Sequence, residues 1–226
     1  MQNKIHMQAN NSYKIKAYVL FACIYLFMYI KGYAQIDHTL NPTLLNNTWK
    51  AEWLSYPGVS LKEYGVFHFR KTIKLDKKPA RFIIHVSGDN RYKLFINGEE
   101  VCHGPARGDL MHWRFETLDI AGQLTSGENL IASVVWNFGS YAPLAQISNK
   151  TAFIVQGDTD AEAAVNTNSS WKVYKNEAYM APQSKSQFTV VGPGDKVVGS
   201  KYPYGWEKLA FNDANWKTPV SLGRGT

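Results

Sequence analysis

Aromatic side chains are the residues of this sequence with the clearest capacity to recognise a ligand. The chain has 226 residues with seven Trp and thirteen Tyr, and three rings fall within five residues, at Tyr202, Tyr204 and Trp206. Pro203 and Gly205 between them favour a loop. Rings in a loop can stack on the apolar face of a sugar while nearby amides and carboxylates bond its hydroxyls. The alternative is that these rings pack on the edge of the fold or against a neighbouring domain.

A second candidate ligand loop lies earlier, over residues 103–109, and is followed by His112-Trp113-Arg114. The two stretches carry Arg107, Asp109 and Trp113, which combine a cationic donor, an anionic acceptor and an indole ring. We interpret these three residues as candidate carbohydrate contacts. The alternative is an ordinary surface ion pair between Arg107 and Asp109.

Residue types suited to catalysis are present but not grouped. The sequence has no Gly-rich phosphate loop, no Cys or His pair at metal spacing and no His-Glu-x-x-His. His68 and His85 lie on predicted strands, where a surface or hydrogen-bonded imidazole is expected. Glycoside hydrolysis needs two carboxylates flanking one bond. No spacing singles out such a pair among the candidates Asp89, Glu99, Glu100, Asp109, Glu116 and Asp119. We therefore assign no catalytic residue, no metal ligand and no cofactor, with a structural calcium ion left open.

The elements that must position these loops read as antiparallel β-strands. In residues 66–75, Phe67, Phe69 and Ile73 share one face, while His68 and Arg70 share the other. Similar runs cover residues 81–86, 92–96, 130–136 and 153–156. Asn-Gly at 97–98 predicts a hairpin, because both residues tolerate positive φ. Short strands separated by turns, without intervening helices, predict an all-β antiparallel β-sandwich.

The tryptophans should supply much of the core of this sandwich. Burying one such ring removes 150–250 Å² from water, so most of the tryptophans should pack in the core or at its edge. If Trp136 and Trp171 are core residues, replacing either with Ala should cost roughly 3–5 kcal/mol. Cys102 is the single cysteine after residue 34. With no second cysteine near it, we expect a small buried apolar residue.

The first 34 residues have the pattern of a secretory signal peptide. Residues 17–30 form an uncharged, mostly apolar run after Lys4, Lys14 and Lys16, and the small residues Gly32 and Ala34 precede a cut before Gln35. The run is short for a membrane span, so no stable span is expected after cleavage. An uncleaved anchor or a lipoprotein attached at Cys23 are the alternatives.

Charge and composition narrow the class further. The net charge is +7, but four of the lysines belong to the first 34 residues, which contain no acid. Much of the excess positive charge therefore belongs to these 34 residues, and the charge of the rest of the chain gives little support for a nucleic-acid partner. An exported domain without an internal disulfide is typical of the bacterial periplasm or cell surface. We divide the chain into a signal peptide (1–34), a linker (35–47) and a β-sandwich (48–226), and expect further domains to follow it.

A set of motifs follows in order along the chain, at residues 64–71, 88–99, 103–105, 112–116, 127–131, 135–136, 192–194, 202–207 and 211–216. Together these motifs resemble the N-terminal region of α-L-rhamnosidases, glycoside hydrolase family 78. The similarity runs from about Trp49 to Trp216, and the hairpin at 88–99 alone is weak because β-galactosidase-like enzymes share it. Asn212 departs from the family's commoner Asp.

This resemblance implies a galactose-binding-like jelly roll ahead of a catalytic helical barrel. The family's catalytic acids have no matching positions here, so the resemblance implies a non-catalytic domain. Its partners would be rhamnose-containing glycan or the catalytic domain of the parent enzyme. The alternatives are a purely structural spacer, the accessory sandwich of a β-galactosidase-like glycosidase, or a chain that is itself a hydrolase.

Overall fold

A computed structural model describes residues 41–181, 190 and 194–225. The predicted signal peptide and its cleavage site at Ala34 and Gln35 lie outside the described residues. So do Gly192 and Pro193 of the motif at 192–194.

The described residues form strands joined by turns and short helical segments. One short α-helix, α1, spans Pro42–Asn46. Three 3₁₀ segments span Gly139–Tyr141, Asp160–Val165 and Gly199–Lys201. The strands are β1 (Glu52–Ser55), β2 (Gly65–Leu75), β3 (Ile83–Asp89), β4 (Arg91–Ile96), β5 (Glu99–Gly104), β6 (Glu116–Asp119), β7 (Gly127–Asn137), β8 (Ala152–Gly157), β9 (Lys172–Lys175), β10 (Tyr179–Met180), β11 (Lys196–Val197) and β12 (Val220–Arg224).

Two antiparallel five-stranded sheets make up the body of the fold. The first has the strand order β12-β1-β8-β3-β6 and the second the order β5-β4-β7-β2-β9, while β10 and β11 pair separately. The prediction of an all-β antiparallel fold is confirmed, and the arrangement is consistent with a β-sandwich. The Asn97–Gly98 hairpin is also confirmed: it joins β4 to β5, with φ of 52° and 92° at its two residues.

The main core combines apolar side chains from both sheets. On β2, the predicted alternation is confirmed, since Phe67, Phe69 and Ile73 are buried in this core. Trp171 is 1% exposed there, as predicted. Cys102 is half-buried against the same cluster, and burial raises the pKa of its thiol.

The second face of β2 is polar but not exposed. His68 and Arg70 are 0% and 2% exposed, because a C-terminal segment, residues 202–216, covers the outer face of the second sheet. Trp206 of this segment packs on Leu130 and Ala132 of β7. Alternation along one strand places a side chain on a face, but it does not show what covers that face.

A smaller cluster of apolar side chains covers the outer face of the first sheet. Trp49 packs with Ala51 and Ile154 in a second cluster, and the Trp49 indole donates to the carbonyl of Leu44 in α1 at 2.9 Å. Helix α1 lies within residues 35–47, the stretch expected to be a linker. Asn41, the residue that caps the N-terminus of this helix, donates its side-chain amide to the carbonyl of Asp158.

Candidate functional site

A small cavity lies where the β3–β4 turn meets two loops, and we call it the loop cavity. Its volume is about 30 Å³. The lining includes Asn90, Arg91, Arg107, Trp113, Arg114 and Gln146. Two of the predicted carbohydrate contacts, Arg107 and Trp113, are thus brought together here.

Hydrogen bonds hold the loop around residue 147 against the end of β3. The Asp89 carboxylate accepts from the Ser148 hydroxyl at 2.6 Å and from the backbone N–H groups of Asn149 and Lys150 at 2.6 and 2.7 Å. Burial raises the pKa of Asp89, against the effect of these bonds. The Asn90 amide group donates to the carbonyl of Ile147 at 2.7 Å.

The side chains on the other side of the loop cavity are also fixed. Arg91 donates to the carbonyl of Pro105 at 2.6 Å, which ties the 105–114 loop to β4. The Trp113 indole donates to Ser87 Oγ at 3.2 Å, and Ser87 donates in turn to the carbonyl of Arg114 at 2.7 Å. The cavity walls are therefore held by strand ends rather than by the loops alone.

Two amide oxygens of the loop cavity have no hydrogen-bond partner within the part of the chain that the structure describes. Oδ1 of Asn90 and Oε1 of Gln146 are both buried and unpaired, and Asn90 as a whole is 6% exposed. Because the Asn90 amide nitrogen bonds Ile147, its oxygen is the free end of the group. Buried acceptors of this kind cost about 1–3 kcal/mol each when unsatisfied, so the cavity favours an occupant with hydrogen-bond donors.

Asp109 lies outside the loop cavity and is used locally. Its carboxylate accepts from the backbone N–H groups of Met111 and His112, both at 2.8 Å, and from the His112 ring at 3.0 Å. The His112 side chain, followed by these backbone bonds, lowers the pKa of Asp109. The structure shows no ion pair between Arg107 and Asp109.

A wider depression of about 390 Å³ adjoins the loop cavity at Trp113. Its rim carries Leu110 and Met111, which are 58% and 86% exposed. Trp53 and Lys150 also line it. Polar and apolar side chains both line this depression, and the apolar Leu110 and Met111 lie at the tip of the loop.

A second candidate site lies on the outer face of the second sheet, and we call it the aromatic groove. Its volume is about 500 Å³. The lining includes Lys93, Trp136, Tyr179, Tyr202, Tyr204 and Glu207. The fold thus adds strand residues to the predicted aromatic loop.

The three rings of the aromatic loop have different environments. Tyr204 is 73% exposed, whereas Trp206 is only 3% exposed. The Trp206 ring packs 4.2 Å from the His68 ring and 5.2 Å from the Phe95 ring, centroid to centroid. Trp206 is therefore a packing residue at the base of the groove rather than an open sugar platform, which corrects its predicted role.

The backbone conformation of Gly205 allows the Tyr204 and Trp206 side chains to lie in different environments. Its φ is 80°, a conformation that residues with a Cβ rarely adopt. The chain turns at Gly205, so that Tyr204 is exposed to solvent while Trp206 lies at the base of the groove. Tyr202 lies between them, half-buried, and its hydroxyl accepts the Trp206 indole N–H at 3.2 Å.

Arg70 fastens this aromatic segment to the sheet. Its guanidinium donates to Asp213 Oδ2 at 2.8 Å and to the backbone carbonyls of Trp206 and Lys208. Lys172 donates to the other Asp213 oxygen at 2.6 Å. Burial works against it, but these two cations hold the pKa of Asp213 below its usual value.

Trp136 is the clearest difference from the predicted core. It is half-buried and lines the aromatic groove, so it packs on the outer face of the sheet and does not meet the condition of being a core residue. Sequence reasoning also missed Asn90 and Gln146 as site residues. Asn90 lies inside the motif at 88–99 without a feature that marks it as a ligand contact, and no local pattern marks Gln146.

The two histidines expected to be hydrogen-bonded are both bonded and buried. The Asn176 amide lies 2.8 Å from His68 Nε2. The His85 ring lies 2.9 Å from Thr117 Oγ1 and 3.1 Å from Asp158 Oδ1. Among the residues that the structure describes, no group of three His, Cys, Asp or Glu side chains could hold a metal ion, and no helix is long and apolar enough to cross a membrane.

Fold and cavities together define an antiparallel all-β domain, consistent with a β-sandwich, with a small cavity at its loops and a groove on the outer face of one sheet. The family model of the α-L-rhamnosidase N-terminal domain matches residues 77–224. The chain belongs to this family. A search of curated proteins finds no match.

Solved structures agree with this family at the level of fold. A family-78 rhamnosidase of Bacillus sp. GL1 matches with a TM-score of 0.69 and 24% identity, over 79% of this chain and 19% of its own. An α-L-rhamnosidase of Aspergillus terreus gives 0.56 and 16%, over 77% and 21%. The Streptomyces avermitilis α-L-rhamnosidase, solved with L-rhamnose, gives 0.50 and 18%, over 78% and 15%. The chain thus spans about a fifth or less of these proteins.

Proposed function

We propose that this domain is a non-catalytic carbohydrate-binding module of an exported α-L-rhamnosidase, and that the loop cavity binds a terminal sugar of a rhamnose-containing glycan. The galactose-binding-like jelly-roll connectivity is part of this proposal. The observation that carries it is the pair of buried, unpaired amide oxygens of Asn90 and Gln146 in one cavity.

Sugar hydroxyls are suited to this lining. They can donate to the two free amide oxygens and accept from the Arg107 guanidinium, while the half-buried Trp113 ring offers an apolar surface. The neighbouring depression gives the rest of a sugar room beyond the small cavity. That one fold relative was solved with L-rhamnose supports the choice of sugar.

Isothermal titration of the full chain with L-rhamnose tests this function. We expect saturable heat, and at least about tenfold weaker binding in Gln146→Met, which keeps the side-chain length but removes the acceptor oxygen; tenfold corresponds to ~1.4 kcal/mol. Arg81→Gln, an exposed arginine outside the cavity, is the matched control and should bind like the wild type. Absence of heat from a chain with a native circular-dichroism spectrum would favour the structural-spacer alternative.

A structural calcium ion is the second occupant to consider for these oxygens. Calcium takes six to eight oxygen ligands, and the Asn90 and Gln146 amide oxygens are the unpaired donors that suit it. Asp89 is adjacent, but its oxygens already accept three hydrogen bonds. We propose that calcium is not required: the same rhamnose affinity is expected in EDTA and in calcium chloride, and a loss in EDTA would assign the ion to this site.

A second candidate function is contact with the catalytic domain of the parent enzyme. The exposed Leu110 and Met111 favour it, because large apolar side chains at a loop tip are suited to a protein partner. Binding of a separately produced family-78 catalytic domain should weaken in Met111→Asp and not in Leu144→Asp, a comparably exposed residue outside this rim. Equal binding by both variants would remove Met111 from the interface.

Location belongs to the same proposal. The signal peptide predicted for residues 1–34 would direct the chain to the bacterial periplasm or cell surface. A secreted product that begins at Gln35 in mass spectrometry is the expected result.

A further inference from the structure

The loop cavity and the aromatic groove meet at one cross-strand pair. Arg91 of β4 lies opposite Trp136 of β7 in the antiparallel register. Opposite residues of an antiparallel pair share a face, with Cβ atoms about 4.5–5.5 Å apart. Arg91 lines the loop cavity and Trp136 lines the groove, so the two sites are neighbours on one sheet face.

The groove continues from this pair along the same two strands. Lys93 and Val134 form the next pair on that face, and both line the groove. Phe95 follows two residues later and also lines it. At about 3.4 Å per residue, the distance along the strand from Arg91 to Phe95 is roughly 14 Å, which is longer than a single pyranose ring.

The side chains of the groove suit a neutral sugar chain. Trp136 and Tyr202 are half-buried and Tyr204 is exposed, so ring surface is available next to polar groups. Glu207 supplies a hydrogen-bond acceptor.

The charges of the groove argue against a polyanionic occupant. Its cation, Lys93, pairs with Glu100 at 3.0 Å. Asp195 and Glu207 add negative charge to the lining. A nucleic acid or an acidic glycan chain would meet net repulsion there.

We propose that the aromatic groove is a second sugar subsite, continuous with the loop cavity, and that the domain recognises a neutral rhamnose-containing oligosaccharide rather than a single sugar. This inference rests on the proposed function of the loop cavity. It assigns sugar contacts to Trp136, Tyr202 and Tyr204, with Trp206 as the packed base beneath them.

Calorimetric titration of the full chain with three ligands tests the inference. The ligands are L-rhamnose, a neutral rhamnose-containing disaccharide and the corresponding tetrasaccharide. The tetrasaccharide should bind at least about tenfold more tightly than rhamnose, because truncation of an aromatic anchor commonly costs more than 1 kcal/mol and ~1.4 kcal/mol is tenfold.

Two groove variants and a control locate the gain. Tyr204→Ala and Trp136→Ala should reduce the affinity for the tetrasaccharide to that for rhamnose, and leave the rhamnose affinity unchanged. Tyr141→Ala, a half-buried tyrosine outside the groove, should change neither. Tyr204 is exposed, so its variant is expected to fold, and the thermal transition of each variant verifies this.

The outcomes separate the two proposals. Equal affinity for rhamnose and the tetrasaccharide would overturn the groove subsite and leave the loop cavity standing. A gain for the tetrasaccharide that survives both groove variants would also overturn it. Binding of the tetrasaccharide alone, lost in Tyr204→Ala, would support the groove and contradict the loop cavity. No binding of any ligand would reject both.

Discussion

At the scale of single residues, Trp136 and Trp171 form a matched pair in different environments. Trp171 is 1% exposed within the main core, whereas Trp136 is half-buried on an outer sheet face. Trp171→Ala should cost about 3–5 kcal/mol of unfolding free energy, and Trp136→Ala about 1 kcal/mol. Guanidinium unfolding followed by circular dichroism measures both, and equal costs would contradict the assigned faces.

The sequence could not separate these two tryptophans. In β7, Ile131 and Val135 face the main core, while Leu130, Ala132 and Val134 lie on the opposite face under or beside the C-terminal segment. Both faces of the strand are apolar, so alternation gives no sign of which one is interior. Where the faces differ in polarity, as along β2, the inward set was predictable.

His68 makes stability depend on pH. Burial lowers the pKa of His68 to about 3, against about 6.5 in an unfolded chain. Between these values the unfolded state binds a proton that the folded state does not, so the contribution is complete above pH ~6.5 and is lost as pH falls toward the folded pKa. The expected slope is up to ~1.4 kcal/mol per pH unit.

The variant His68→Gln isolates this effect. Glutamine can still contact Asn176 but does not titrate. The rings packed around His68 belong to Tyr174, Tyr202, Trp206 and Trp216. Urea unfolding at pH 7, 5.5 and 4 should show a shallower decline in the variant, and parallel declines would show that His68 is protonated in the folded state.

At the scale of elements, the aromatic segment depends on one anchor. Asp213 pairs with Arg70 at 2.8 Å and with Lys172 at 2.6 Å, while Arg70 is almost fully buried. Asp213→Asn should lower the unfolding free energy by about 2 kcal/mol, because it weakens charged hydrogen bonds to a buried cation.

The adjacent Asn212 is the control for this anchor. It is exposed, and its side-chain oxygen accepts the Ala214 N–H at 3.0 Å, so Asn212→Ala should change stability by less than ~0.5 kcal/mol. Either Asp or Asn can make this local turn, which explains how the departure from the family pattern is tolerated. If the two variants were equally stable in chemical unfolding, the ion pair would not anchor the segment.

Elements that depend on local patterns could be predicted from the sequence, whereas the element that depends on distant contacts could not. The strands and the Asn97–Gly98 hairpin were predictable because alternation and turn residues act over a few positions. The cover formed by residues 202–216 was not, because Arg70 and Asp213 are 143 positions apart. The residues of the aromatic loop were found from composition, whereas its partners Trp136 and Lys93 come from distant strands.

At the scale of the whole molecule, the chain resembles one part of a much larger enzyme. It spans 19% of the Bacillus rhamnosidase that it matches, and the all-β fold follows from local patterns that the part retains. The loop cavity needed three separate stretches, around residues 90, 107 and 146, to come together. Each stretch is an ordinary turn or loop on its own, so only Arg107 and Trp113 of its lining could be nominated from the sequence.

Catalysis by the larger enzymes does not transfer to this chain by similarity alone, because the chain spans only about a fifth of their length. Asp195 and Glu207 both line the aromatic groove, so a carboxylate pair must be tested and not dismissed. Asp195 already accepts a hydrogen bond from the Tyr64 hydroxyl at 3.0 Å. Burial, followed by the charge of Asp195, raises the pKa of that tyrosine. We expect no rhamnose release from an aryl α-L-rhamnoside by the full chain, with the same background rate in Glu207→Gln and Asp195→Asn. Release that both variants abolish would make the groove an active site, because hydrolysis requires an acid and a base acting on the same bond.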